Sequence, residues 1–181
     1  MAVVIDGTNG VSSPDYEVDG VTGQIYPIVR STVIASTSGT SIDFTSIPSW
    51  VRRITVMFQG VSLSGTENML VQIGPSGAVE TTSYISSSTQ TTGGAGGTAS
   101  STSGFIVRCA GAANLCYGHL IITNITSNTW ISSHTLSADG TFSGMFGGGT
   151  KALASGPLAR LSITRTGTNT FDAGSINIMY E

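Results

Sequence analysis

The segment 51–63, Val-Arg-Arg-Ile-Thr-Val-Met-Phe-Gln-Gly-Val-Ser-Leu, most narrows what this chain can fold into. Ile54, Val56 and Phe58 alternate with Arg53, Thr55, Met57 and Gln59. A period of two puts one apolar and one polar face on an extended strand. No segment keeps a 3.6-residue apolar period long enough for a helix, so the spacing predicts strands and turns throughout.

Segments 68–74 and 78–87 follow after short polar turns, and with 51–63 they read as a meander. The run 88–104 is almost wholly Gly, Ser and Thr and reads as a long loop or tip. Segments 105–110, 116–126 and 129–138 read as strands, with Ser127-Asn128 as a two-residue connection and Asp139-Gly140 as a turn signal. Glycine is too dense in 141–156 for a regular element, and strands return at 158–166 and 171–181. About nine turn-connected strands predict an all-β fold. The expected architecture is an antiparallel β-sandwich, with a jelly-roll as a candidate topology, over residues 29–181. An extended N-terminal arm, residues 1–28, precedes it.

Charge supports that division. Only 9% of residues are charged while 39% are hydrophobic, so the surface must be covered by hydroxyls, amides and backbone, which about fifty Ser and Thr supply. The arm carries Asp6, Asp15, Glu17 and Asp19 with no Lys or Arg; the remaining six acids and seven bases leave the body near neutral. Without a basic patch, nucleic-acid binding through phosphate neutralisation is disfavoured. No run of apolar residues is long enough to span a membrane as a helix, and the start lacks the pattern of a secretory leader. Cys109 and Cys116 could close a small hairpin by a disulfide, but with no leader in view two partly buried free thiols are the favoured expectation.

Four chemical readings compete. The phrase apolar-Asp-Gly-x-x-Gly occurs at 5–10 and again at 18–23, inviting a phosphate loop, yet neither copy is followed by Lys or a helix. Asp15, Glu17, Asp19 and Gly20 match the first half of a calcium loop, but position twelve is Tyr26 and no helices flank it, so solvated acids on an extended segment are expected and no metal is assigned. His119 and His134 have no nucleophile elbow near them and read as strand residues with local hydrogen bonds. Trp50 and Trp130 could stack on sugars but, being large aromatics, are expected in the core. No catalytic residue and no cofactor site is assigned.

The opening Asp-Gly phrase, the segment Ile-Asp-Phe-Thr-Ser-Ile-Pro-Ser-Trp-Val-Arg-Arg-Ile-Thr-Val (42–56) and the ending Phe-Asp-Ala-Gly-Ser-Ile-Asn-Ile-Met-Tyr-Glu (171–181) resemble appendage proteins of tailed bacteriophages, of the tail-fibre or head-fibre type. The similarity covers 41–73, 158–181 and the short opening. It implies a non-enzymatic virion protein, assembled in the host cytoplasm and exposed on the particle. Such proteins are usually homotrimers that dock on other virion proteins through an N-terminal region and meet the host surface, often a glycan, through a distal β-rich domain. On that basis Val4, Ile5, Asp6, Gly7, Gly10, Val11, Val18, Asp19, Gly20, Gly23 and Ile25 are the expected docking residues of the arm. Thr91, Thr92, Gly93, Gly94, Asp139, Gly140 and Phe146 are the expected receptor-facing positions. A capsid decoration protein, whose arm would clamp shell subunits, and a carbohydrate-binding or depolymerase head are the alternatives.

Overall fold

The structure of the protein, a computed structural model, describes residues 4–6, 10–12, 16–18, 21–23, 27–92, 95–109, 111–112, 114–139 and 143–181. Through residue 23, and at Thr92 and Ala95, the backbone alone is described.

Within the arm, β1 (Val4–Asp6) pairs with β2 (Gly10–Ser12), and β3 (Tyr16–Val18) pairs with β4 (Val21–Gly23). The described residues of each copy of the repeated phrase therefore lie on a pair of short antiparallel strands that forms a sheet of its own. The body then runs β5 (Val29–Arg30), β6 (Ile34–Ala35), β7 (Ile42–Phe44), β8 (Arg53–Leu63), β9 (Met69–Gly74), β10 (Tyr84–Thr92), β11 (Ala95–Ser101), β12 (Phe105–Val107), β13 (Cys116–Thr126), β14 (Thr129–Ala138), β15 (Ser143–Ala152), β16 (Arg160–Arg165) and β17 (Phe171–Tyr180).

These strands form two antiparallel sheets, neither closed into a barrel. The larger has nine strands in the order β11-β10-β15-β14-β13-β8-β17-β5, with β6 also on β17. The smaller has four, β12-β9-β16-β7. One apolar cluster takes residues from both, including Val56, Phe58, Leu120 and Ile122 from the large sheet and Val71, Ile73, Leu161 and Ile163 from the small one. Strand β14 shows the cause: it alternates buried and exposed residue by residue, so one face packs on the core and the other meets water. Strand β9 is buried along its whole length, as a strand near the middle of a covered sheet must be.

The structure corrects five sequence expectations. The meander does not form, because β8 and β10 belong to the large sheet while β9 crosses to the small one. The expected strand 78–87 begins only at Tyr84, and the expected loop 88–104 is instead the end of β10 plus β11, paired from Ser86↔Ser101 to Thr92↔Ala95. Segment 141–156 contains β15, a strand between β10 and β14. Its glycines are a packing requirement: a Cβ on Gly147 would run into the Ser87 carbonyl and the His134 ring, and one on Gly149 into the Ile85 carbonyl. Cys109 and Cys116, both buried, are joined as a disulfide rather than held as thiols. The pairing is the local hairpin closure that the seven-residue spacing allowed, with Cys116 opening β13 and Cys109 two residues past the end of β12.

Three neighbouring strands, β13, β8 and β17, carry register irregularities close together, between Cys116 and Gly118 and between Phe171 and Ser175. Gly60 and Gly174 have φ of +62° and +87°, and a Cβ on Gly174 would strike the Gly60 carbonyl. Glycine is needed there because the strands bend at close approach.

Candidate functional site

Strand register separates the two ends of the large sheet. At one end Thr91 pairs with Gly144 and Ala138 with Ser143, so the segments around 91–92, 139 and 143 become neighbours, with Cys116 beside them through its pairing to Ala138. Asp139 is fastened there: its carboxylate accepts from the Leu115 amide at 3.0 Å. Phe146 is exposed on the outer face, in a row with Thr89, Thr135, His119 and Met57. Of the expected receptor-facing positions, the structure thus brings Thr91, Thr92 and Asp139 to one end with Phe146 nearby. Gly93, Gly94 and Gly140 lie outside the described residues. Of the expected docking residues, Val4, Ile5, Asp6, Gly10, Val11, Val18 and Gly23 fall on hairpin strands, and Gly7, Asp19, Gly20 and Ile25 lie outside the described residues. Asp15 and Asp19, two of the three acids weighed as a cation site, also lie outside them.

Val29 and Arg30 join the large sheet at the other end. Val29 pairs with Tyr180, which pairs with Ile54, and the β13–β14 hairpin turn at Ser127 and Asn128 stands beside them.

Between these ends, the inner face of β10, β15 and β14 is polar, which the strand alternation hid from sequence reading. Lys151, with 2% of its side chain exposed, places Nζ 2.5 Å from Glu80 Oε2 and donates to the Thr82 carbonyl at 3.0 Å. The ammonium also lies 5.2 Å from the Tyr84 ring centroid. Glu80 Oε1 accepts from the amides of Ala154 and Ser155, both at 2.9 Å. Burial works against the Glu80 charge, but Lys151 and those two amides outweigh it, and the carboxyl titrates below its ordinary range. Burial raises the Tyr84 phenol, whose oxygen accepts from the Ile73 amide at 2.8 Å.

Ser88 Oγ lies 2.8 Å from His134 Nε2 and accepts from the Arg108 amide at 3.0 Å; Ser86 Oγ accepts from the Ile106 amide at 2.9 Å. These serines satisfy the amide of Ile106 in β12, the edge strand of the small sheet, and that of Arg108 just beyond it, and so join the two layers. Ser88 and His134 are both buried, and burial lowers the imidazole pKa to about 4. The pair has the contact of a nucleophile and base but is enclosed; His134 lies on a strand as expected, yet its bond reaches Ser88 on β10 rather than a local partner. His119 is exposed on the opposite face.

The acids of the body are used one at a time. Glu67 accepts from the amides of Thr168 and Asn169, Asp172 from Ser62, Asp43 from Ser41, and Glu181 pairs with Arg53 at 3.0 Å. Among the described residues no group of three or more His, Cys, Asp or Glu could hold a metal ion. Trp130 is core, and Trp50 is half-buried with its ring 5.9 Å from that of Tyr180.

A pocket of about 290 Å³ opens at the arm-side end, lined by Ser49, Val51, Arg52, Asn124, Ser127, Asn128, Trp130, Pro157 and Leu158. Its first wall is the Pro48-Ser49-Trp50-Val51 turn, closed by the Val51 amide on the Pro48 carbonyl at 3.1 Å. No protein-family profile, curated protein or solved structure matches the chain.

Proposed function

We propose that this chain is a non-enzymatic structural protein of a tailed-phage particle, a fibre-type appendage. In this reading it assembles as a homotrimer, docks on other virion proteins through residues 1–28 and turns a jelly-roll-type sandwich toward a host-surface glycan. The observation that carries the reading is polarity along the body. The acidic segment joins at the Val29 end, and the Ser/Thr/Gly-rich segments around 91–92 and 139 gather at the opposite end. An elongated attachment protein needs that separation of docking and presenting ends. The outer face of the large sheet adds support, because rows such as Ser87, Gly148, Ser133, Ile121 and Thr55 offer hydroxyls and backbone with little charge. Such a face persists in water.

Immunogold electron microscopy of purified particles from the producing culture, with antibody against the recombinant chain, tests this. Tens of labels per particle at fixed positions are expected. Hundreds spread over the shell would favour the decoration reading, and unlabelled intact particles would reject both. Release of reducing sugar from host polysaccharide would instead place the protein among the depolymerases.

A further inference from the structure

We propose that the arm-side pocket binds a sugar acid, a single pyranose ring carrying one carboxylate. Each part of that ligand answers a feature of the walls. Arg52 supplies the cation: its Nη1 donates to the carbonyls of Ser49 at 2.9 Å and Val51 at 3.0 Å, which fixes the guanidinium plane. Among the described residues Arg52 has no carboxylate partner, whereas its neighbour Arg53 is already paired with Glu181. A fixed, unpaired guanidinium suits a ligand carboxylate, which it can grip through two parallel hydrogen bonds.

The second feature is the indole of Trp130. This side chain is 3% exposed, and its Nε1–H has no acceptor. Nε1 is itself enclosed, so it does not bond the ligand; the indole lines the pocket, and its N–H resonance senses what binds there. Asn128, Ser49 and Ser127 add amide and hydroxyl groups that both give and take hydrogen bonds, as ring hydroxyls do, while Asn124, whose two amide hydrogens are used, can only accept. Val51, Leu158 and Pro157 supply an apolar wall for the carbon face of the ring.

Size and charge exclude neighbouring classes. About 290 Å³ is at the small end for ligand pockets, which start at roughly 300 Å³, so one ring fits and a chain would have to extend outside. One cation among amides is matched to a monoanion; a phosphate dianion would call for more positive charge. A plain aliphatic acid would make no use of the Asn128, Ser49 and Ser127 groups.

The walls are also tied together before any ligand arrives. The Asn124 amide donates to the Arg52 carbonyl at 2.7 Å, and the Leu153 amide to the Asn128 carbonyl at 3.0 Å. Asn124 Nδ2 donates to the carbonyls of Ser127 and Thr129, bracing the hairpin. That bond also occupies the nitrogen that a glycan would need at the Asn124-Ile125-Thr126 sequon. The pocket stands on its own geometry, so the proposal holds or fails regardless of where the protein resides.

The test follows the Trp130 indole N–H resonance of the full chain by NMR, with Trp50→Phe to assign the two indoles. Glucuronate, galacturonate and N-acetylneuraminate are each titrated to about 10 mM, a range that detects millimolar affinity. Acetate and glucose serve as controls. A saturable shift with at least one sugar acid, exceeding that with either control, is expected. Arg52→Ala, at an exposed position, should weaken binding tenfold or more with the fold intact, and Asn128→Ala should weaken it several-fold. No shift with any of the three acids, an equal shift with acetate, or undiminished binding by Arg52→Ala would each overturn the proposal.

Discussion

Burial of His134 beside Ser88 disfavours its charged form, so its pKa falls from 6.5 to about 4 on folding. The unfolded chain then binds more protons than the folded one between those values. Stability is full above pH 6.5 and declines as pH falls toward 4. The difference amounts to about 2 kcal/mol at pH 5. Urea denaturation at pH 7 and pH 5 should register that loss, and His134→Gln should remove most of it. Glu80 acts lower: its depressed pKa stabilises the fold above the ordinary carboxylate range, and the benefit disappears as pH drops through the folded pKa. Mutation separates its pair with Lys151 from ordinary surface ion pairs. Glu80→Gln leaves a buried ammonium unpaired and should cost about 3–5 kcal/mol, while Glu80→Gln with Lys151→Met should recover much of that. A double mutant no better than the single would show that the two side chains do not act as a pair.

Among the elements, β15 departs furthest from its sequence signal. Gly147 has backbone and the His134 ring where a Cβ would go, whereas at Gly144 the nearest atom is Thr91 Oγ1 at 3.4 Å. Gly147→Ala should therefore destabilise by about 1–3 kcal/mol through overpacking, and Gly144→Ala should move the melting temperature little. Equal effects at the two sites would mean that glycine serves strand flexibility rather than close approach. Strands such as β8 and β14 were legible because alternation survives in their side chains: Ile54, Val56 and Phe58 in one, Trp130, Leu136 and Ala138 in the other. Strands β10, β11 and β15 were not, because their inward positions are Ser86, Ser88, Gly147, Gly149 and Lys151, and no hydropathy contrast marks a polar seam. The same blindness hid the candidate pocket. The Ile-Pro-Ser-Trp phrase and the Arg pair stood out in the sequence, but Asn128 and Trp130 reach them only through the pairing of β13 with β8.

At the scale of the whole molecule, the sheet order sets where the fold is firm and where it is open. Strands β13 and β8 lie well inside the nine-stranded sheet, while β11 lies at one margin and the short β5 and β6 at the other. Amides of Leu120, Ile122 and Val56 should exchange with deuterium only by global unfolding, because opening them breaks pairings on both sides. Residues 95–101 of β11 have a partner strand on one side only, and their chain of Ala, Gly, Thr and Ser holds them by few apolar contacts. They should exchange orders of magnitude faster in the isolated chain. An unpaired edge is also the surface that a second copy would add to, and the large sheet carries no charged residue in β11 to discourage it. The proposed homo-oligomer therefore makes a specific demand on the same experiment. Raising protein concentration from about 1 μM to 1 mM, a span that brackets affinities from roughly −8 to −4 kcal/mol, should slow exchange at 95–101 if copies pair through β11, while leaving Leu120 and Ile122 unchanged. Slowing confined to 29–35 would move the contact to the opposite margin, beside the root of the acidic arm. Exchange independent of concentration at both margins, in a sample whose mass is that of one chain, would remove the trimer from the proposed function and leave the outer face as a surface for other molecules.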